Sequence, residues 1–146
     1  MAFKISGLVV FACTIALSFS AGAGREQVDL PEFAAKHLNA TMRDHLEALE
    51  RVTRLLSERK YGKAADIAEE RLGMSSVEIH YEKHVGKYMP REMRLLGTRM
   101  HEAATSFAES ARRAEEATGA ADERVLAALA DVIEGCTSCH EHYRTQ

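Results

Sequence analysis

Three residues near the carboxyl end of the 146-residue chain have the types and spacing needed to attach a cofactor covalently. Cys136 and Cys139 lie three positions apart, and His140 follows directly. Residues three apart share one face of a helix, so both thiols could reach the two vinyl groups along one haem edge. The imidazole of His140 would then lie under the ring as an axial iron ligand. Because Cys-x-x-Cys-His is the attachment signature of a c-type haem, we predict one covalently bound haem c.

Other chemistry for a Cys-x-x-Cys pair fits this sequence less well. A thioredoxin-like redox pair needs a strand–helix–strand context, and the chain shows no strand-like alternation and no internal repeat. A zinc site needs a second pair of ligands, for which His142 alone is a poor complement. A disulfide between residues three apart late on a helix would have awkward geometry.

The first 23 residues have the features of a secretory signal peptide. Lys4 supplies a positive charge, residues 5–19 form an apolar segment, and Ala21, Gly22 and Ala23 offer a small-residue cleavage site. The apolar segment is short for a membrane span, and no second hydrophobic stretch exists. We therefore predict a signal peptide at 1–23 and one mature domain at 24–146, located in the periplasm. An uncleaved anchor, or a lipoprotein anchored at Cys13, is the alternative.

The charge of the mature chain argues against nucleic-acid binding. Removal of the leader takes away one lysine, which leaves 18 basic residues against 22 acidic ones, a formal charge of −4. A mildly acidic chain without a basic run lacks the surface that phosphate backbones attract. Only Cys136 and Cys139 remain in the mature chain, so no cysteine is left for a structural disulfide.

The mature chain is predicted to begin with two amphipathic helices. They are expected at residues 31–59 and 63–72, with Asp29 capping the first and Gly73 ending the second. The apolar face of the first helix follows a three-and-four spacing and consists of Leu38, Met42, Leu46, Leu49, Val52 and Leu56. Leu55 adjoins this face, and because adjacent residues cannot both face one core, either Leu55 or Leu56 is expected to serve a subunit contact.

Two further helices are predicted in the second half of the chain. The third is expected at residues 90–118 with a stripe of small and apolar residues, and the fourth runs from about Asp122 into the cysteine motif. Its apolar positions continue onto both cysteines, so the motif is expected to point into the core. Residues 74–89 are expected to be a long connection with one helical turn. Its His80 and His84 are interpreted as a surface and haem-edge loop rather than as a metal-binding pair.

Four helices with one long crossover indicate an all-α, antiparallel four-helix bundle with C-terminal covalent haem attachment. The sequence resembles the cytochrome c-prime family, exported bundles with Cys-x-x-Cys-His on the last helix. The resemblance rests on residues 136–144, which match Cys-x-x-Cys-His-x-x-aromatic-Arg. It implies thioether bonds at Cys136 and Cys139 and iron ligation by His140. It also implies that Arg144, one turn beyond, lies beside that histidine, although Arg144 equally fits a solvated cation near the end of a helix.

The residue that faces the iron from the first helix separates two branches of that family. An apolar residue there leaves an open, high-spin iron that takes only small gases, whereas a methionine gives a low-spin, six-coordinate iron suited to electron transfer. The candidates are Leu38, Met42 and His45, and we predict Met42 as the sixth ligand. Plain core packing is the alternative for Met42. Two departures from the family pattern make the alignment of the first helix uncertain by about one turn. The chain has no tryptophan, with Met93 near the place where many relatives have one, and residues 36–42 lack the arginine that relatives often carry just before the distal residue.

We therefore predict a single-electron carrier that is not an enzyme and that docks with periplasmic redox proteins near an exposed haem edge. The alternative is a high-spin protein that binds nitric oxide or carbon monoxide. A haem peroxidase would need His37 or His45 as an acid–base partner, and a non-haem metal bundle would need Glu-x-x-His pairs that the chain lacks. The resemblance also implies a homodimer formed through the first two helices.

Overall fold

The computed structural model describes residues 24–80, 85–116 and 121–145, apart from the side chains of residues 78–80 and 121. The predicted signal peptide at 1–23 lies outside these ranges. The described chain is a mostly helical bundle, which confirms the all-α prediction. Its elements in chain order are β1 (Glu26–Val28), α1 (Glu32–Ser57), α2 (Tyr61–Arg71), α3 (Met74–His80), a 3-10 turn (Gly86–Tyr88), α4 (Arg91–Glu116), α5 (Ala121–His142) and β2 (Tyr143–Thr145).

Helices α1, α2, α4 and α5 correspond to the four predicted helices, but their termini differ in detail. The prediction that Asp29 caps α1 is wrong: Pro31 occupies the capping position and its carbonyl accepts the Ala34 and Ala35 amides. Helix α2 ends as expected before Gly73, whose amide donates to the Ala68 carbonyl at 2.8 Å. A Cβ at Gly73 would lie 2.9 Å from the backbone Cα of Glu69, a contact that rotation of the Glu69 side chain cannot relieve, so the structure favours glycine there.

Two elements were not predicted. Residues 74–80 form the seven-residue helix α3 where one turn was expected, and strands β1 and β2 pair in parallel with Gln27 opposite Arg144. Each strand has three residues, too few to show an alternating pattern, although Val28 is buried. This pairing joins the segment before α1 to the residues directly after α5.

The buried side chains form two clusters. The larger one combines α1, α2, α4 and α5 around Phe107, and it is built mostly from alanine and valine. Leu55 and Leu56 both pack against it, so the expectation that only one of them contacts the core is wrong. Both can do so because α1 has α2 beside it, and Leu56 also borders a small cavity whose other wall includes Val125 of α5.

The second cluster lies at the other end of α1 and gathers residues that are distant in sequence. It consists of Val28, Ala34, Leu38, Val85, Met89 and Met93, with Cys139 and Tyr143 packed against it. The backbone of α1 lies against α2, α2 against α4, and α4 against α5, whereas α1 and α5 have few close backbone contacts. Among the described residues, none of the helices combines the length and the apolar character that crossing a membrane requires.

Candidate functional site

The gap between α1 and α5 contains a cavity of about 490 Å³. Helix α4 closes one side of it with Gly97 and Met100. A volume of this size falls within the range of about 300–1,000 Å³ that is usual for ligand and cofactor sites. The cavity therefore lies where the helices that carry the predicted site residues fail to pack against each other.

The α5 wall of the cavity is formed by Gly135, Cys136, Cys139 and His140. Both cysteines are half-buried, whereas His140 is exposed. Cys136 packs against the larger cluster and Cys139 against the second cluster. Since residues three apart lie on one helical face, the two sulfurs face the same cavity at the junction of the two clusters. The expectation that the motif points inward is thus confirmed for both cysteines.

Burial governs the chemistry of the two thiols. It raises the pKa of Cys136 and, with the added effect of its neighbour's charge, the pKa of Cys139. Disulfide oxidoreductases need the opposite, a lowered pKa that keeps a thiolate at neutral pH. Both residues are free cysteines and would remain thiols at neutral pH. This result argues against the thioredoxin-like alternative.

Gly135 allows α5 to approach α4 closely just before the motif. A Cβ at this position would lie 2.8 Å from the Met100 Cβ and 2.9 Å from its Cα. We therefore expect Gly135→Ala to push the two helices apart and to lower the free energy of unfolding by about 1–2 kcal/mol, because overpacking outweighs the better helix propensity of alanine. Chemical denaturation of the two proteins measures the difference.

Gly62→Ala is the matched control for this substitution. Gly62 is also helical, but a Cβ there would meet only the Glu115 carboxylate, at 3.5 Å or more. We expect this variant to be as stable as the parent or more stable by up to about 1 kcal/mol. If both substitutions changed stability equally, the close approach at Gly135 would not be a structural requirement.

The apolar positions of α1 belong to two rows, one buried in the bundle and one on the cavity wall. One row of α1 is buried against protein and consists of Ala34, Leu38, Thr41, His45, Ala48 and Val52. A second row with the same three-and-four spacing borders the cavity and consists of Asn39, Met42, Leu46 and Leu49. The predicted apolar face mixed these two rows.

The division into two rows changes the assignment of Leu46. It was predicted to lie on the core face, yet its side chain is 70% exposed on the cavity wall. That prediction is wrong for the described chain because no protein segment covers the second row. A leucine that stays exposed beside other apolar groups marks a surface suited to cover by another molecule.

The three candidates for the sixth ligand occupy different positions. Met42 and His45 both border the cavity, whereas Leu38 packs in the second cluster and does not line it. Met42 lies in the middle of the cavity row, next to Leu46. His45 belongs to the buried row and is 4% exposed, although it is also one of the residues that border the cavity.

Other predicted residues lie away from the cavity wall. Helix α5 ends at His142, so Arg144 lies on β2, where it is exposed and does not line the cavity. His84 and the side chain of His80 lie outside the described residues. Within the described part, no group of three or more His, Cys, Asp or Glu side chains is arranged to hold a metal ion.

Seven lining residues were not predicted for the site, namely Asn39, Arg43, Leu46, Leu49, Gly97, Met100 and Gly135. Asn39 and Arg43 flank Met42 on the solvent side of the same helix, and their spacing from it was the available signal.

The site fits a covalently held haem in three respects. Two thiols three residues apart face an apolar cavity, an imidazole follows them on the same wall, and the opposite wall offers a thioether from Met42.

Comparison of the chain with protein-family models, curated proteins and solved structures finds no match.

Proposed function

We propose that the chain is an exported c-type cytochrome that carries single electrons. One haem would occupy the cavity between α1 and α5, with thioether bonds to Cys136 and Cys139 and with His140 as the axial ligand. The iron centre would supply the one-electron chemistry, and the protein would hold the ring, exclude water and set the potential through its axial ligands.

The observation that supports this proposal best is that the α5 wall and the α1 wall face each other across the cavity. The cysteines and the histidine of one helix face a row of apolar side chains on another, and Leu46 in that row is 70% exposed. Covering such a side chain is worth about 1.5–3 kcal/mol. A flat, largely apolar ring between the walls would cover Leu46, Met42 and Leu49 at once.

The proposal includes the arrangement of the bundle and the location of the protein. We infer an antiparallel four-helix bundle of α1, α2, α4 and α5. The β1–β2 pairing, which joins the start of α1 to the end of α5, supports this arrangement. A signal peptide at 1–23 would export the chain to the periplasm, where haem attachment to cysteines takes place in bacteria.

Electron transfer is favoured over catalysis by the position of Met42. A thioether as sixth ligand stabilises ferrous iron, raises the potential and leaves no open coordination site for a substrate. The exposure of His140 places one side of the site near solvent. Redox protein partners would dock there through a small, weak interface. The resemblance to the cytochrome c-prime family additionally implies a homodimer.

The absorption spectrum of Met42→Ala tests this proposal. We expect the parent to be low-spin in the ferric state, with a charge-transfer band from methionine sulfur to iron. The variant should lose that band, become high-spin and show a lower midpoint potential, because the thioether no longer stabilises the reduced state. Met74→Ala, which removes an exposed methionine on α3 away from the cavity, should leave the spectrum unchanged. An unchanged spectrum in Met42→Ala would rule out this ligand.

The second candidate is a high-spin protein that binds nitric oxide or carbon monoxide. The observation in its favour is Leu46, which lies on the same cavity row as Met42 and one turn further along α1. If Leu46 faces the iron, the sixth position is open. A parent protein that is already high-spin in the ferric state, and whose reduced spectrum shifts with carbon monoxide, would support this function over electron transfer.

A further inference from the structure

A second, larger cavity lies along the start of α4, and we call it the basic groove. It has a volume of about 750 Å³ and is bordered by α3, the 3-10 turn and α4. Arg91, Arg94 and Thr98 line it at helical spacing, whereas Gly97 and Met100 close the cavity between α1 and α5. The basic groove and that cavity therefore lie on different faces of one helix.

Among the described residues, the lining of the basic groove holds three cations and no carboxylate. The cations are Lys87, Arg91 and Arg94. The Nη1 of Arg94 donates to the backbone carbonyls of Gly86 and Met89, at 3.3 and 2.7 Å. These bonds fix the guanidinium against the 3-10 turn and leave donors on its other two nitrogens for a ligand.

Weak interactions hold the other two cations at the rim of the basic groove. The Lys87 Nζ lies 5.0 Å from the centre of the Tyr88 ring, within the range of a cation–π contact. Arg91 pairs with Glu92 at 3.6 Å, but both side chains are exposed, so the attraction is weak. Both cations can therefore turn toward an anion in the groove at little cost.

Apolar side chains share the lining with these charges. Leu95 is 43% exposed, and Val77 of α3 is half-buried. A small inorganic anion would pair with the cations and leave both apolar side chains uncovered. A lipid headgroup surface would contact the rim without filling a concave groove. A peptide segment with carboxylates and an apolar side chain complements both parts of the lining.

We propose that the basic groove docks an acidic segment of a protein partner. Arg94 would bind one carboxylate through two parallel hydrogen bonds, the arrangement that a guanidinium favours. Lys87 and Arg91 would attract further carboxylates, and an apolar side chain of the segment would cover Leu95. The whole chain has a formal charge of −3, so this recognition depends on the local cations and not on the net charge. The inference does not depend on the haem assignment.

Fluorescence anisotropy with a labelled peptide tests this proposal on the purified protein. The peptide consists of aspartate and glutamate residues with one central leucine. We expect saturable binding that weakens as salt is added. Lys87→Gln and Arg91→Gln should each weaken binding about two- to fivefold, because each removes one partly exposed ion pair with the peptide. A peptide with serine in place of the leucine should also bind more weakly.

Arg113→Gln is the matched control for Arg91→Gln. Arg113 also lies on α4, is exposed and pairs with a carboxylate, that of Glu109, at 3.6 Å, but it does not line the basic groove. Its substitution should leave binding unchanged. An equal loss in both variants would overturn the proposal, because any surface cation would then suffice. Displacement of the peptide by an equal concentration of inorganic phosphate would overturn it too, as would binding to anionic phospholipid vesicles without binding to the peptide.

Discussion

The double variant Cys136→Ala/Cys139→Ala is expected to contain no covalently bound haem. Both sulfurs face the cavity between α1 and α5, and no other cysteine belongs to the predicted mature chain. Without the bonds, haem would be held only by its axial ligands and apolar contacts and would be lost on denaturation. Because a ligand that binds only the folded state stabilises it, we also expect the free energy of unfolding to fall by about 3 kcal/mol or more. A haem stain of a denaturing gel and chemical denaturation measure the two effects.

Thr137→Ala is the control for this experiment. Thr137 lies within the motif but is exposed, and its hydroxyl donates only to the Glu134 carbonyl one turn earlier. This variant should keep its full covalent haem. Each single cysteine variant should retain one thioether bond. Stain that persists in the double variant would show that haem is attached elsewhere or that the signal has another origin.

His140→Gly should abolish the native iron ligation while leaving both thioether bonds in place. The substitution removes the imidazole and leaves space for an added one beneath the ring. We expect the ferric spectrum of the variant to differ from that of the parent, and added free imidazole to restore it. This rescue identifies the missing group chemically, because a general loss of folding would not respond to imidazole.

His142→Gly is the matched control for the glycine substitution. His142 lies two residues further along α5 and is exposed, and its Nδ1 lies 2.7 Å from the Ser138 carbonyl. Both variants place a glycine near the end of the same helix, so they share any backbone cost of about 1 kcal/mol. The spectrum of His142→Gly should match that of the parent without added imidazole. An altered spectrum in this control alone would assign the ligand to His142 instead.

The local features of the sequence were sufficient to predict most helices and the position of the motif. Helix α4 is a clear case, since Met93, Met100, Ala104, Phe107 and Ala111 repeat at helical spacing and are all buried. Periodicity shows that a side is apolar but does not show what covers it. For this reason the core row of α1 and its cavity row were predicted as one face, and Leu46 was assigned to the core.

Features that depend on long-range contacts could not be predicted. Strands β1 and β2 pair residues near opposite ends of the described chain, and neither has a pattern of its own. The burial of His101 likewise depends on the Leu72 carbonyl, which the turn between α2 and α3 brings within 2.7 Å. Polar residues in helices are ordinarily assigned to the surface, so only the tertiary structure shows that His101 lies in the core.

Extraction of the purified protein with acidic acetone tests the central proposal most directly. The solvent denatures the chain and removes haem that is held only by ligation and packing. We expect the pigment to stay with the polypeptide, and the intact mass of the denatured chain to exceed that of residues 24–146 by one haem. Pigment that passes into the solvent, with a chain of unmodified mass, would contradict attachment through Cys136 and Cys139.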